Sequence, residues 1–292
     1  MIREKDWRNV VFDVFNYGFI ALLSFLAAAP MLNLLAISLS DNAAVMGGYV
    51  TFLPVNLTWE NYAVIFQSPA IYKAFTVSIQ RTVLGIVISQ FLTIITAYPL
   101  SKAARQFKGR NFFMWILVFT MLFDGGLIPF FMVIRNLGLL NTIWALIVPG
   151  VSAWSVILLM NFFKEVPQEL EEAALLDGAN HWQILWKIYV PLSVPALATL
   201  TLFAAVWHWN AWFDGMIFMT DPNNYPLQTY LRTVVVDLNS SNLHMDVTKI
   251  DMLSQRALRG AMIFVTTIPI MILYPFLQRY FVTGIKLGAV KG

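Results

Sequence analysis

The chain has 292 residues, of which 59% are hydrophobic, 15% aromatic and only 12% charged, with a formal net charge of +3. Soluble domains carry about 25% charged residues, so this composition excludes a soluble globular domain and indicates an integral membrane protein. The absence of cysteine excludes a disulfide framework, thiolate catalysis and cysteine-based metal sites.

A membrane-spanning helix needs about 20 mostly apolar residues. Six stretches meet that requirement, roughly residues 15–39, 75–98, 112–134, 143–163, 192–213 and 260–281. The fold expected is therefore all-α, a polytopic membrane protein with six transmembrane helices in a single domain spanning residues 1–292. In the first stretch, "AAAP" at Ala27–Pro30 resembles a signal-peptide cleavage region. The apolar sequence runs on to Leu39, well past the 7–15 residues of a signal-peptide core, which favours a retained span.

Lys and Arg are enriched in cytoplasmic loops. Twelve of the nineteen fall on one side of the six-span arrangement: Arg3, Lys5, Arg8, Lys102, Arg105, Lys108, Arg110, Lys164, Lys187, Arg279, Lys286 and Lys291. Both termini are thus expected in the cytoplasm. Because these residues sit in short loops, they report orientation, and no basic patch argues for nucleic acid. On the opposite side, residues 40–74 and 216–259 form long loops made turn-rich by Pro54, Pro69, Pro222 and Pro226. Arg81, about two turns into the second span, is expected to snorkel to the headgroups.

Between the fourth and fifth spans lies "VPQELEEAALLDGANHWQILWKIYVP", residues 166–191, on the cytoplasmic side. Pro167 and Gly178 bracket a helix of about three turns. Glu169, Glu171 and Glu172 lie near its amino end, where the helix dipole favours negative charge. After the turn, Trp182, Leu185, Trp186 and Tyr189 recur at i, i+3, i+4 and i+7, one apolar stripe on a second helix suited to the membrane interface. Pro191 and Pro195 then open the fifth span. Periodicity alone leaves two readings open: an ordinary helical loop, or a stiff hairpin that carries a push from a cytoplasmic partner into the membrane.

The spacing Glu172-Ala173-Ala174, three residues, Gly178, nine residues, Ile188-Tyr189-Val190-Pro191 resembles the EAA loop of the permease subunits of binding-protein-dependent ABC importers. Val190 stands where leucine is usual, a mild apolar exchange. "FDGGLIPFFMVIRNLGLLNTIWALIVPG" (residues 123–150), "YPLQTYLR" (225–232) and "GIKLGAVKG" (284–292) resemble the carbohydrate branch of that family. Within it the chain is similar to the second permease subunit of maltose importers, and closer to lipo-oligosaccharide or alginate-type importers. The resemblance implies the type I ABC importer permease fold and a coupling hairpin at 166–191 that docks on an ATPase subunit. Glu172 would be its charged contact, Ala173 and Ala174 would allow close approach, and Gly178 would permit the turn. Glu171 and Asp177 join the same coupling group, and residues 286–292 are a further ATPase-contact candidate. The implied partners are a second homologous permease, two ATPase subunits that bind ATP and Mg, an extracytoplasmic solute-binding protein delivering a sugar, and membrane lipid. The localisation implied is the plasma membrane of a bacterial or archaeal cell.

Asp124 is the acid inside the third apolar stretch, and an ionisable residue at such depth faces protein or water. Gly125, Gly126 and Pro129 predict local helix breaking there. Two readings stand: lining of a substrate path, or capping of irregular backbone. "VWHWNAWFDG", residues 206–215, sets aromatic faces beside hydrogen-bonding groups, which suits sugar rings, although Trp is also enriched at membrane interfaces. Trp209, Asn210 and Asp214 are the substrate-path candidates of this segment. His208 is expected to be structurally satisfied.

No phosphate-binding G-x-x-x-x-G-K-[ST] loop occurs, the three His residues lack metal-ligand spacing, and no nucleophile–base constellation is visible. The chain is therefore expected to hold no cofactor and to be non-catalytic. The alternative is a polytopic membrane enzyme acting on lipid-linked sugars through Asp124, His208 and Asp214.

Overall fold

The computed structural model describes residues 7–237 and 255–288. Among these residues all regular secondary structure is helical. Helix α1 (Trp7–Ser38) is followed by the short α2 (Asn42–Met46) and α3 (Glu60–Gln67), and then by α4 (Pro69–Ser101). Next come α5 (Arg110–Leu122), α6 (Leu127–Asn136), α7 (Trp144–Ile147) with a single 3-10 turn (Val148–Gly150), and α8 (Ala153–Lys164). The hairpin is α9 (Gln168–Leu176) and α10 (His181–Leu192). It leads to α11 (Val194–Asn210), α12 (Phe213–Phe218), α13 (Leu227–Asp237) and α14 (Gln255–Gly288).

Among the described residues, three helices are long and apolar enough to cross a bilayer by themselves, within α1, α4 and α14. They coincide with the first, second and last of the six apolar stretches. The third stretch is not one straight rod: α5 and α6 meet at 118° across residues 123–126. Gly126 takes φ +83° there, a backbone state that favours glycine. The fourth is divided into α7, the 3-10 turn and the twelve-residue α8. The fifth is bent as well, with α10 and α11 inclined at 81° around Ser193.

The chain packs as two units. One comprises residues 1–69 and 234–267, the other residues 70–233 and 268–292. In the first, Ala36, Ile37, Ala44, Val45, Val50 and Ala257 form a small apolar core. The end of α1 is secured by polar contacts, with Ser38 and Tyr62 hydroxyls 2.7 Å apart and Asn61 Nδ2 donating to the Ser38 carbonyl at 3.1 Å. The second unit has a larger core, in which Ile94, Ala97, Tyr98 and Leu100 of α4 meet Val156, Leu159, Met160 and Phe163 of α8. Ile184, Leu185 and Tyr189 of α10 and Ala196 and Leu200 of α11 complete it. This core carries the hairpin. Outside it, α1 and α5 expose many large apolar side chains, Trp7, Phe12, Phe15, Phe19, Phe112 and Trp115 among them, as lipid- or partner-facing helices do.

Candidate coupling hairpin and polar sites

Pro167 occupies the position before the first residue of α9 and Gly178 follows its end, with φ +79°. Ala179 N–H donates to the Ala174 carbonyl at 2.9 Å and Gly178 N–H to the Leu175 carbonyl at 3.1 Å, the paired bonds of a Schellman stop. Two residues on, Asn180 starts α10 with a reciprocal cap. Its Oδ1 accepts from Gln183 N–H and Gln183 Oε1 accepts from Asn180 N–H, both at 2.9 Å. The turn therefore has four defined hydrogen bonds between residues 174 and 183, a stiff connection. The Asn180–Gln183 spacing is a legible capping signal that the apolar stripe had overshadowed.

The face of α9 divides its acids. Glu172, Ala173, Asp177 and Gly178 are exposed, as are Leu170, Leu175 and Leu176, while Ala174 is half-buried. Glu172 Oε1 accepts from Gln168 Nε2 at 2.7 Å, one turn earlier. Glu171 turns the other way and is the one buried residue of α9, 6% exposed. The coupling group expected from sequence is thus split: five members lie on or beside the open face, and Glu171 points inward.

Glu171 Oε2 receives Lys102 Nζ at 2.7 Å and the Tyr189 hydroxyl at 2.7 Å. Lys102 Nζ also donates to Tyr189 Oη at 2.8 Å. The ammonium lies 4.1 Å and 4.0 Å from the ring centres of Tyr98 and Tyr189, within cation–π range. Tyr98 Oη in turn lies 3.1 Å from His181 Nδ1. Burial opposes charge on Glu171, but the bonds from Lys102 and Tyr189 outweigh it and hold the carboxyl below its ordinary range. On Lys102 burial is the larger influence and lowers the ammonium, against the opposing pull of Glu171. Sequence reasoning singled out neither Lys102 nor Tyr98 for this role.

The stripe expected on α10 is divided. Leu185 and Tyr189 are buried with Ile184, Trp182 is exposed, and Trp186 stacks on Phe91 with centres 6.5 Å apart. The reason is a π-turn over Leu185–Tyr189: the wider turn shifts the phase of a 3.6-residue stripe.

A second buried charge lies at Arg81 in α4, which is 0% exposed. This corrects the snorkelling expectation. Both terminal guanidinium nitrogens, Nη1 and Nη2, pair with the Asp214 carboxylate, Nη1 at 3.1 Å, and Nη1 also donates to the Ala211 carbonyl at 3.0 Å. A partner within the protein removes the need to reach headgroups. The guanidinium also lies 5.8 Å from the Trp207 ring centre. His208 is buried, but its Nδ1 has no hydrogen-bond partner among the described residues, against the expectation of a satisfied side chain; its ring fills the space left by two glycines: a Cβ on Gly85 would meet its Nε2 at 2.4 Å, and one on Gly150 would meet its Cε1 at 3.2 Å.

Of the four substrate-path candidates, Asn210 and Asp214 line one cavity of about 500 Å³ with Trp207, Trp212 and Phe130. Trp209 instead is buried, edge-on to Phe75 at 5.8 Å. Asp124 is exposed in the α5–α6 break, where its Oδ1 accepts from Gly126 N–H at 3.0 Å. A further cavity of about 320 Å³ is lined by Ser89, Gln90, Ser152, Ser155, Trp154 and Trp207, all uncharged. Among the described residues no group of three His, Asp or Glu could hold a metal ion. The tail candidate at 286–292 is not described beyond residue 288, and the side chains of 286–288 are also outside the described residues.

The described residues form an all-helical chain with a break between α5 and α6 and an exposed, capped hairpin ahead of α11. Residues 8–287 match the family of binding-protein-dependent transport system inner membrane components, and the chain belongs to that family. It is a non-catalytic, membrane-embedded permease subunit. It is 38% identical over 289 residues to the polygalacturonan/rhamnogalacturonan transport system permease protein YtcP of Bacillus subtilis (strain 168), covering 98% of this chain and 100% of that one. Protein LplC of the same organism is also 38% identical, over 97% of this chain and 95% of its own. A solved structure described as a bacterial ABC transporter involved in the import of the acidic polysaccharide alginate contains a chain 35% identical, with TM-score 0.87, covering 94% of this chain and 98% of that chain.

Proposed function

We propose that the chain is a permease subunit of an ATP-driven importer of oligo- or polysaccharides in a bacterial plasma membrane. It has six spans, counting bent and broken pairs as single crossings, and both termini in the cytoplasm. The observation that carries this reading is the full-length similarity to polysaccharide-transport permeases, together with a hairpin whose Glu172, Ala173 and Asp177 stand exposed. The hairpin docks on one of two ATPase subunits, which hold ATP and Mg. A second, homologous permease supplies the other half of the translocation path, and an extracytoplasmic binding protein delivers the sugar. ATP-driven closure draws the coupling helices together and rocks the spans between inward-facing and outward-facing states. Asn210 and Asp214, on the wall of a shared cavity, are the stronger path candidates, while Trp209 supports that wall from behind and Asp124 shapes the break in the third span.

The membrane-enzyme alternative required Asp124, His208 and Asp214 to act together. Asp214 is paired with Arg81, while His208 is buried between glycines and lines a different cavity from Asp214. Copurification in mild detergent tests the proposal. The wild-type chain should bring down an ATPase and a second permease, and Glu172→Lys should lose the ATPase alone. A wild-type chain that purifies alone even after crosslinking refutes the reading.

A further inference from the structure

Amphipathic helices are normally held by an apolar stripe. α9 is not. Its inward positions are Glu171, 6% exposed, and the half-buried Ala174 one turn later, while all three of its terminal or central leucines, Leu170, Leu175 and Leu176, are exposed. A carboxylate therefore stands where a leucine would be placed to anchor such a helix. Its partner, Lys102, directly follows the last residue of α4, a helix of 33 residues. Its second partner, Tyr189, is on the π-turn of α10. Two cavities, of about 580 Å³ and 290 Å³, are both lined by Lys102 and Glu171. The polar cluster is thus flanked by cavities on two sides, and the residue of α9 that packs on the core shared with the end of α4 is the small Ala174.

We infer that the Lys102–Glu171–Tyr189 cluster is the mechanical link by which a displacement of the coupling helix is delivered to α4, so that Lys102 and Glu171 are positioning residues for transport. The inference rests on the proposed docking of α9 on an ATPase, and it goes beyond that reading by naming where the motion passes inside the permease. Two features fit a transmitting link. Charge-assisted bonds of 2.7 Å have fixed direction and length, so they carry both push and pull, which an apolar contact beside a cavity does not. The ammonium also rests in the corner formed by the perpendicular rings of Tyr98 and Tyr189, 4.1 and 4.0 Å from their centres, which blocks its swing on that side.

The test uses the assembled, reconstituted transporter, with sugar uptake and ATP hydrolysis measured on the same vesicles. The chain has no cysteine of its own, so Lys102→Cys with Glu171→Cys can be bridged by a thiol-reactive linker that reductant cleaves. Before bridging, uptake per ATP hydrolysed should fall by about tenfold, the scale of a lost coupling contact, while the ATPase still copurifies. Bridging should restore most of the uptake, and cleaving the linker should remove it again in the same preparation. Glu171→Gln, which keeps an acceptor but removes the charge, should show a smaller loss of the same ratio. Unchanged uptake per ATP in the unbridged protein, or no recovery on bridging while the ATPase stays bound, overturns the inference. Failure of the wild-type chain to bind any ATPase would instead overturn the proposed function on which it rests.

Discussion

Asp214→Ala should be among the most destabilising single changes on this chain, because of what it leaves behind. Arg81 is 0% exposed, and its Nε already lacks a hydrogen-bond partner. Without the carboxylate, its remaining anchor is the Ala211 carbonyl at 3.0 Å, one acceptor for a group with five N–H donors. Removing one member of a buried pair costs about 3–5 kcal/mol, because the other charge stays desolvated. For a chain of this length each kcal/mol lowers the midpoint by roughly 2 °C, so the expected drop is about 6–10 °C. Asp214→Asn should lose less, since an amide oxygen still accepts. Arg81→Met combined with Asp214→Asn should recover most of the loss, because it removes the buried charge as well as its partner, and the Asp214 side chain is 22% exposed.

The assay is the fraction of detergent-solubilised protein that stays monodisperse after heating at a fixed rate, since unfolding of such proteins is usually irreversible. Comparison of the Arg81→Met and Asp214→Asn single variants with the double variant gives the coupling between the sites. Two results refute the reasoning. One is an Asp214→Ala midpoint within about 1 °C of wild type, the size of an ordinary surface change. The other is a double variant that loses the sum of its singles.

Gly85→Ala should cost about 1–3 kcal/mol by overpacking, because its Cβ would fall 2.4 Å from His208 Nε2, whereas Gly125→Ala meets open space and should leave the midpoint unchanged; the same heating assay compares them. Gly178→Val should strain the hairpin by about 1–2 kcal/mol, since φ there is +79°, and should speed proteolysis within residues 176–181 without shifting the global midpoint. The Glu171 carboxyl is held below its ordinary range, so the unfolded chain binds the proton more readily and stability rises with pH across that window. Its contribution is complete above the unfolded value of about 4.3 and is lost as pH falls through the folded value. Hairpin proteolysis should therefore accelerate on acidification below pH of about 4 in wild type, and should show less pH dependence there in Glu171→Gln.

The elements most legible in the sequence were those set by local chemistry. Long apolar runs gave α1, α4 and α14, and Pro167 and Gly178 framed α9 nearly to the residue. Gly125 and Gly126 marked the break between α5 and α6, but not its 118° angle, which depends on what each half packs against. The buried charges were illegible for a different reason. Lys102 and Glu171 are 69 residues apart in sequence, and Arg81 and Asp214 are 133 apart. A Lys at the end of an apolar run looks like a topology marker, and an Arg near a run's other end looks like a snorkelling residue, until the distant acid is known. Within α9 the helix dipole accounted equally for Glu169, Glu171 and Glu172 and so could not tell them apart. Helix phase does: Glu171 and Ala174, three residues apart, share the inner face, and Glu172, turned by about 100° from its neighbour, does not. One acid then faces whatever approaches from outside and the adjacent one grips the end of α4. On the proposed docking, contact and transmission fall to consecutive residues, and substitutions at the two should separate ATPase binding from uptake per ATP.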